Sequence, residues 1–378
     1  MNNQFKKEYS MVSFKPRKQS YIINLISTIV LIALVYLAFG TSFSKGLYIN
    51  LLDINFNQMK NLCFMICYTV ILAVSLNLTT GCLGEMVLGH AGFMAIGAYA
   101  GSLFLRYIHT NVMDLEAANS LVACGFSIIA MLIGFVSAGL AGLLVGIPAL
   151  RLRGDYLAII TLGFGQILVK LLQLFEFTGG SGGLKNIPTN NNIILYVVMV
   201  CIVVALLFIV MRSRFGRAVL SIREDAIAAE AVGIPVTKYK VLTFMISAAF
   251  AGVAGVMFAQ NIGTLKPEKF TFNYSVELLV IVVLGGLGSF TGSVVASVVL
   301  LLLPESLRFL ADYRLIIYSL SLIVIMLTKP SGLLGRYEFS MTRFLKKLPG
   351  RVKSFPSNIK KLFLKIGNLF RKKGDLNE

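Results

Sequence analysis

Few side chains in this 378-residue chain can do chemistry at a fixed place, and most of them sit inside long apolar runs. His90 opens onto one such run and can partner a charged solute, although a hydrogen-bonded packing histidine fills the same position. Glu277 lies at the start of another, toward its outer end, where a carboxylate meets an ammonium group, faces water or caps a helix. Thr161 and Gln166 share a third run and offer uncharged hydrogen-bonding groups, either to a solute or to neighbouring helices. Lys170, near the end of that run, is placed to snorkel to the interface. The glycine-rich stretch 179–183, with Ser181 and Gly182 at its centre, can present backbone amides to a carboxylate, or be a plain turn. Cys63 and Cys67 share a helix face, but no second ligand pair accompanies them. With Cys82, Cys124 and Cys201 they read as small buried hydrophobes, so no metal site is expected. No His/Asp/Glu/Cys constellation suits acid–base or nucleophilic catalysis, which argues against an enzyme.

A different kind of chemistry is written in the stretch 212–240. Ser221-Ile222-Arg223-Glu224 fits a capping box, with Ser221 capping the amide of Glu224 and Glu224 reaching back. Asp225 adds negative charge where a helix dipole favours it. Ala226 to Val232 are good or neutral helix formers, Gly233 suits the position just past a helix end, and Pro235 prevents continuation. The pattern predicts a short helix over about 222–232, held between two apolar runs. A rigid surface helix of this kind suits docking into a groove on a soluble subunit; it also suits simply spanning a gap.

The elements that position these residues are membrane spans. Apolar residues make up 57% of the chain and charged residues 14%, well away from soluble composition. Mean hydropathy is +0.81. The apolar residues come in blocks of spanning length, and the alternating ten-residue segments of a barrel are absent. The expected fold is all-α, a polytopic transmembrane helical bundle of about ten spans (eight to ten), over approximately 22–40, 60–79, 87–106, 120–149, 156–175, 193–211, 241–262, 276–287, 290–304 and 315–328. The fourth run is long enough to tilt or protrude. The eighth and ninth are short and meet at Gly285-Gly286-Leu287-Gly288, so they are two tilted spans, one broken span or a re-entrant pair. The basic N-terminus precedes a full-length apolar run without a small-residue cleavage site, so the first span is expected to be retained.

Charge sets the orientation. With the N-terminus inside, 26 of the 35 Lys and Arg fall in segments on the inner side, and the excess persists without the C-terminal tail. Both termini are then cytoplasmic. The chain divides into a basic segment 1–21, a transmembrane domain 22–328 carrying the loop 212–240, and a basic tail 329–378. That tail either lies on anionic lipid as an amphipathic helix or is disordered. The net charge of +18 follows from this loop asymmetry and calls for no nucleic-acid partner. Small residues at spacing four give close-packing faces: Ala138, Gly142 and Gly146; Ser247, Ala251, Gly255 and Ala259; Gly288, Gly292 and Ala296.

The motifs then resemble those of one family. Ser213-Arg214-Phe215-Gly216-Arg217-Ala218, followed by Ile222-Arg223-Glu224-Asp225-x-x-Ala228-Ala229-x-x-Val232-Gly233-Ile234, is similar to the coupling region of branched-chain amino acid ABC transporter permeases of the LivM type. Leu88-Gly89-His90-Ala91-Gly92-Phe93, Arg151-Leu152-Arg153-Gly154-Asp155-Tyr156-Leu157, Thr161-Leu162-Gly163-Phe164-Gly165, Thr178-Gly179-Gly180-Ser181-Gly182-Gly183-Leu184 and Val283-Leu284-Gly285-Gly286-Leu287-Gly288-Ser289 agree in order. Together they cover about 75–300.

The resemblance implies a permease subunit of an ATP-driven importer of branched-chain amino acids in a bacterial cytoplasmic (inner) membrane. It also implies a second, LivH-like permease, two cytoplasmic ATPase subunits that use ATP and Mg, and an extracytoplasmic solute-binding protein. Arg223, Glu224, Asp225, Ala228, Ala229, Gly233 and Ile234 would couple to the ATPase; His90, Thr161, Gln166, Ser181, Gly182 and Glu277 would line the path. No cofactor is expected on this chain, since Gly180 to Asn186 lacks the Gly-Lys-Ser/Thr ending of a P-loop. Urea and short-chain amide permeases are similar to the same family and stand as the alternative substrate class. An ion-coupled secondary transporter is the rival of another class, weakened by the scarcity of charge within the spans.

Overall fold

The structure, a computed structural model, describes residues 56–115, 119–150, 155–190, 192–307, 313–329, 332, 333 and 335. The expected span 22–40, the segment 1–21 and nearly all of 329–378 lie outside the described residues. The remaining nine apolar runs coincide with helices whose ends move by up to five residues. Apolar side chains offer the backbone no competing hydrogen bonds, and in hydrocarbon the helix is how a single segment satisfies its own amides.

The helices are α1 (Phe56–Asn77), α2 (His90–Asn111), α3 (Ser120–Ala149), α4 (Asp155–Leu174), α5 (Ile193–Arg212), α6 (Arg214–Glu224), α7 (Ala226–Ala231), α8 (Val236–Ile262), α9 (Phe272–Gly285), α10 (Phe290–Ser306) and α11 (Arg314–Thr328). A π-helical turn, Leu78–Leu83, extends α1 and stops at Gly84, whose φ of +82° suits glycine. Six helices, α1 to α5 and α8, are long and apolar enough to cross a membrane. With 30 residues, α3 is about 45 Å long, half again the hydrocarbon thickness of about 30 Å. Between α9 and α10 the chain bends by 119°, so the pair folds back at residues 286–289 and is no straight crossing.

At the centre are α1 and α8, both largely buried, while α3, α4 and α5 turn Leu144, Ile159, Leu174 and Ile209 outward. An outward face of this kind belongs against lipid. The expected small-residue faces do the internal packing. A Cβ at Gly142 would press on Ala248 and one at Gly146 on the Phe244 ring, so that face of α3 lies on α8. A Cβ at Gly97 would strike the backbone of Gly252, and one at Gly252 would strike Gly134, so α2, α3 and α8 cross with their backbones in contact. Gly255 meets the start of α2 through the Met94 carbonyl. In the third face, Gly292 of α10 touches Gly285 of α9 and Ala296 is fully buried. Gly288, however, is not part of that helix. It turns the chain at φ +89°, beside Gly81.

Two ends of the bundle result. The basic end gathers 78–89, 212–240 and 286–289, with Arg212, Arg214, Arg217, Arg223, Lys238 and Lys240. At the far end are 112–115, 175–190 and 263–271. There Leu184 and Leu265 exchange backbone bonds of 2.8 and 2.9 Å, the one isolated β-bridge among the described residues.

Candidate functional site

At the basic end the loop after α5 is built differently from the sequence expectation. Instead of one helix over 222–232 there are two. Ser213 caps α6, its Oγ accepting from the Phe215 amide at 3.2 Å. Ser221 is therefore interior to α6 and donates to the Ala218 carbonyl at 2.8 Å, so it caps nothing. The break comes at Asp225, whose extended backbone (φ −156°, ψ 108°) starts α7. Its Oδ1 accepts from Ile227 N at 2.9 Å and Ala228 N at 3.0 Å. A charged acceptor at a helix N-terminus outcompetes a neutral hydroxyl for those amides. Gly233 sits just past the helix end as expected, at φ +86°. Its amide bonds Glu230 O at 2.9 Å, and that of Ile234 bonds Ala229 O at 3.1 Å, the paired bonds of a Schellman motif.

These caps hold α7 as a rigid projection. Gly216, Val219, Ile222 and Ala229 face the bundle, whereas Glu224, Asp225, Ala228 and Glu230 are exposed. Ile227 and Val232 protrude most, at 73% and 82% exposure. Two bare apolar side chains between carboxylates, beside clustered Arg and Lys, make a surface fitted to an apolar groove with charged rims.

Arg223 ties this projection to the bundle. Its Nη1 donates to the Gly81 carbonyl at 2.6 Å, and its stem lies over Gly84. From the same π-turn the contacts pass inward through Asn77. Its Nδ2 donates to Ser289 O and Ser293 Oγ, and its Oδ1 accepts from Gly288 N, all at 2.8 Å. Glu85 and Lys240 form an ion pair alongside, each 13% exposed. The sequence reading passed over Asn77, Glu85 and Lys240. The available signals were an amide inside an apolar run and an acid just beyond its end.

The expected path residues fall into two groups. His90 and Thr161 come together around the segment 88–90. Ser75 Oγ spends its hydrogen on Leu72 O (2.9 Å), so at 3.0 Å it accepts from His90 Nε2. Thr161 Oγ1 donates to Ala158 O at 3.0 Å and accepts from Leu88 N at 3.2 Å. A Cβ at Gly89 would strike the Thr161 carbonyl, which lets α4 close on the entry to α2. His90 is buried, and its partner Ser75 lies eight residues before Leu83, about 12 Å in from the basic end.

Glu277 joins that depth. The sequence placed it at the outer end of its span. However, Ser275 Oγ accepts from the Ala91 amide at 3.1 Å, so the start of α9 meets the start of α2 inside the bundle. The reason is the loop 263–271, which leads from α8 to α9 with a single 3-10 turn over Pro267–Lys269. It is pinned by the Leu184–Leu265 bridge and by Tyr99 Oη, which donates to Leu265 O at 3.2 Å. Gln166 is half-buried on α4. Ser181 and Gly182 are exposed at the far end, away from the His90 group. The amides of Gly179, Gly180 and Gly183 there are already spent on turn bonds to Glu176, Phe175 and Gly180. Lys170 is exposed and reaches Gln173 Oε1 at 3.3 Å. No group of three metal-ligating side chains occurs among the described residues.

At the far end a second polar node holds the loops. Ser127 Oγ accepts from Gln260 Nε2 and Asn190 Nδ2, each at 2.8 Å, and donates to Ala123 O. A surface helix anchored to the turn that ends α1 at the basic end, with a buried polar layer beneath it, can transmit a displacement from that end of the bundle toward its middle.

Six spanning helices and a folded-back apolar pair, packed through glycine, define a multi-pass helical membrane protein. The chain belongs to the family described as "Branched-chain amino acid transport system / permease component", which it matches over residues 58–327. It is 38% identical over 300 residues to the high-affinity branched-chain amino acid transport system permease protein LivM of Salmonella typhimurium, covering 70% of this chain and 67% of that one. Identity to the Escherichia coli LivM protein is 36% over the same length and coverage. With the LivH permease protein of Salmonella typhimurium it shares 27% over 284 residues, 71% of this chain and 91% of that one. No solved structure matches.

Proposed function

We propose that this chain is one permease subunit of an ATP-driven importer that carries branched-chain amino acids across a bacterial cytoplasmic membrane. The observation that carries the coupling half of this reading is α7: doubly capped, projecting at the basic end, with Ile227 and Val232 bare. A cytoplasmic ATPase subunit receives it in a groove. A second, homologous permease completes the channel, two ATPases hydrolyse ATP with Mg, and a solute-binding protein docks on the far end. Positive-inside charge supports this orientation, which puts both termini in the cytoplasm. The printed names of the LivM and LivH relatives support the substrate class.

In this reading, ATPase closure displaces α6 and α7 as a unit, and Arg223 carries the displacement to the π-turn and the 286–289 turn. The bundle then shifts between two arrangements, each favoured by a different state of its partners. His90, Thr161 and Gln166 lie along the moving segments.

Deleting the gene and following labelled leucine and labelled urea, each with and without collapse of cellular ATP, tests the reading. Loss of ATP-dependent leucine uptake, with urea uptake intact, is the expected outcome. Loss of urea uptake alone would keep an ATP-driven permease and replace the substrate. Leucine uptake that survives ATP collapse and follows an ion gradient would overturn the coupling to an ATPase.

A further inference from the structure

Past α11 the chain comes back onto the bundle at its basic end. The helix closes at Thr328, and the Gly332 amide turns on Lys329 O at 3.0 Å. The Leu333 amide then donates to Leu284 O at 2.7 Å. That carbonyl lies in the last turn of α9, where helix geometry leaves it without a partner inside the helix. Three glycines make the approach possible. A Cβ at Gly332 would strike the backbone of Gly286, and one at Gly286 would strike the Gly335 carbonyl. Gly332 and Gly286 also hold φ of +86° and +112°, a backbone that strains any other residue. Gly332, Leu333 and Gly335 thus lay a strap, backbone to backbone, on the 286–289 turn. The same turn is held by Asn77 through Gly288 N and Ser289 O, and Arg223 Nη1 lies beside Gly288. A displacement of the strap therefore reaches the junction that joins α6 to α1.

Directly after Gly335 the sequence turns strongly basic. Residues 336–378 carry twelve Lys and Arg against three Asp and Glu, with five Phe among them. Basic residues mixed with large apolar ones suit an anionic lipid surface, where the cations meet phosphate and the rings enter the interface. Arg336 comes eight residues after α11 ends, so this stretch starts within reach of the leaflet that the positive-inside rule makes cytoplasmic. We propose that the tail 336–378 binds anionic lipid headgroups of that leaflet, and that the strap passes the attachment to the 286–289 turn. Transport then answers to the charge of the membrane; this consequence rests on the reading of the chain as an ATP-driven permease. Attachment keeps the strap seated and the turn held, and its loss in high salt frees both. Screening shortens the reach of such charges from about 10 Å at 0.1 M salt to about 3 Å at 1 M.

The test places the full transporter, this chain with its partner subunits, in vesicles of phosphatidylcholine with and without phosphatidylglycerol. Leucine uptake should rise about threefold or more with the anionic lipid and lose that gain in high salt. A chain ending at Gly335 should show no gain, and neither should Gly332→Ala, which keeps the tail and displaces the strap. The tail's attachment has its own readout, because the chain contains no Trp. Phe370→Trp, in the full chain in nanodiscs of the same two compositions, should emit at shorter wavelength with phosphatidylglycerol and revert in salt. Adding Gly332→Ala should leave that shift intact. An equal uptake gain in the chain ending at Gly335 would overturn the proposal, as would unshifted emission. A gain retained by Gly332→Ala would overturn the strap's part in it. If removing the tail instead releases the ATPase subunits on purification, the tail binds protein and the lipid assignment fails. If the full transporter carries no leucine in either lipid, the substrate reading fails instead, and the emission shift with lipid-dependent ATP hydrolysis still decides this one.

Discussion

Arg223 in α6 donates from Nη1 to the carbonyl of Gly81 at 2.6 Å, joining residues 142 positions apart. The bond is charge-assisted, and its acceptor belongs to a π-turn whose backbone already departs from regular helical bonding. Movement of α6 therefore reaches the end of α1 without passing through a flexible loop.

Removing that tether should uncouple the two ends. Arg223→Ala loses a bond worth about 1.5–3 kcal/mol, and solute uptake should fall about tenfold while ATP hydrolysis continues. Arg223→Lys keeps the charge but not the planar fork, and should give an intermediate result. Uptake and hydrolysis measured on the same membranes decide the matter; equal loss of both in Arg223→Ala would mean that the residue serves assembly instead.

The caps of α7 should matter in proportion to their chemistry. Asp225→Asn keeps an acceptor for the amides of Ile227 and Ala228, whereas Asp225→Ala should cost about 1 kcal/mol. Gly233→Ala forces a side chain into left-handed backbone at about 1–2 kcal/mol. Gly233→Pro cannot hold φ +86° and also loses the amide bond to Glu230. Transport by Gly233→Pro should vanish while its membrane level on an immunoblot stays normal. Normal uptake would remove α7 from the coupling route.

The membrane class and the order of helices were legible because apolar blocks of spanning length have few other uses. Three features were not. Ser221-x-x-Glu224 satisfies a capping pattern as well as Asp225 does, and nothing local announces that Ser213, the residue right after α5 ends at Arg212, starts the next helix. What settles the competition is tertiary, with Arg223 held on Gly81 and Val219 and Ile222 buried on one face. The depth of Glu277 was hidden because loop 263–271 gives no sign in its composition that α9 starts beside the start of α2. His90 and Thr161 stood out in the sequence as polar side chains in apolar runs, but pairing His90 with Ser75 and Thr161 with Leu88 needed the fold.

The backbone crossing of α2, α3 and α8 predicts a sharp contrast between two glycines. Gly252→Ala puts a methyl against Gly134 and Ala138 and should cost about 1–3 kcal/mol through overpacking. Gly125→Ala meets nothing within 4 Å and should change stability by less than about 0.5 kcal/mol. Melting of the two detergent-solubilised variants checks this, and equal melting temperatures would mean that the crossing is looser than the contacts imply.

Asn77 ties α1 to the 286–289 turn and to the first turn of α10. It donates to Ser289 O and Ser293 Oγ and accepts from Gly288 N, so neither a hydrophobe nor an acid can replace it. Asn77→Ala leaves a buried N–H and a carbonyl to find other partners, at about 1–3 kcal/mol. Asn77→Asp keeps the bond from Gly288 but turns a donor into a second acceptor facing the Ser289 carbonyl, and should be the worse substitution despite its near-identical shape. Interhelical hydrogen bonds in membranes average about 0.6 kcal/mol, so the Ser293 share should be the smaller part. A double-mutant cycle of Asn77→Ala with Ser293→Ala, read by thermal melting, should give a coupling of that order. A coupling of zero would leave the Gly288 and Ser289 backbone bonds as the whole of the effect, and would make the turn, instead of α10, what Asn77 holds.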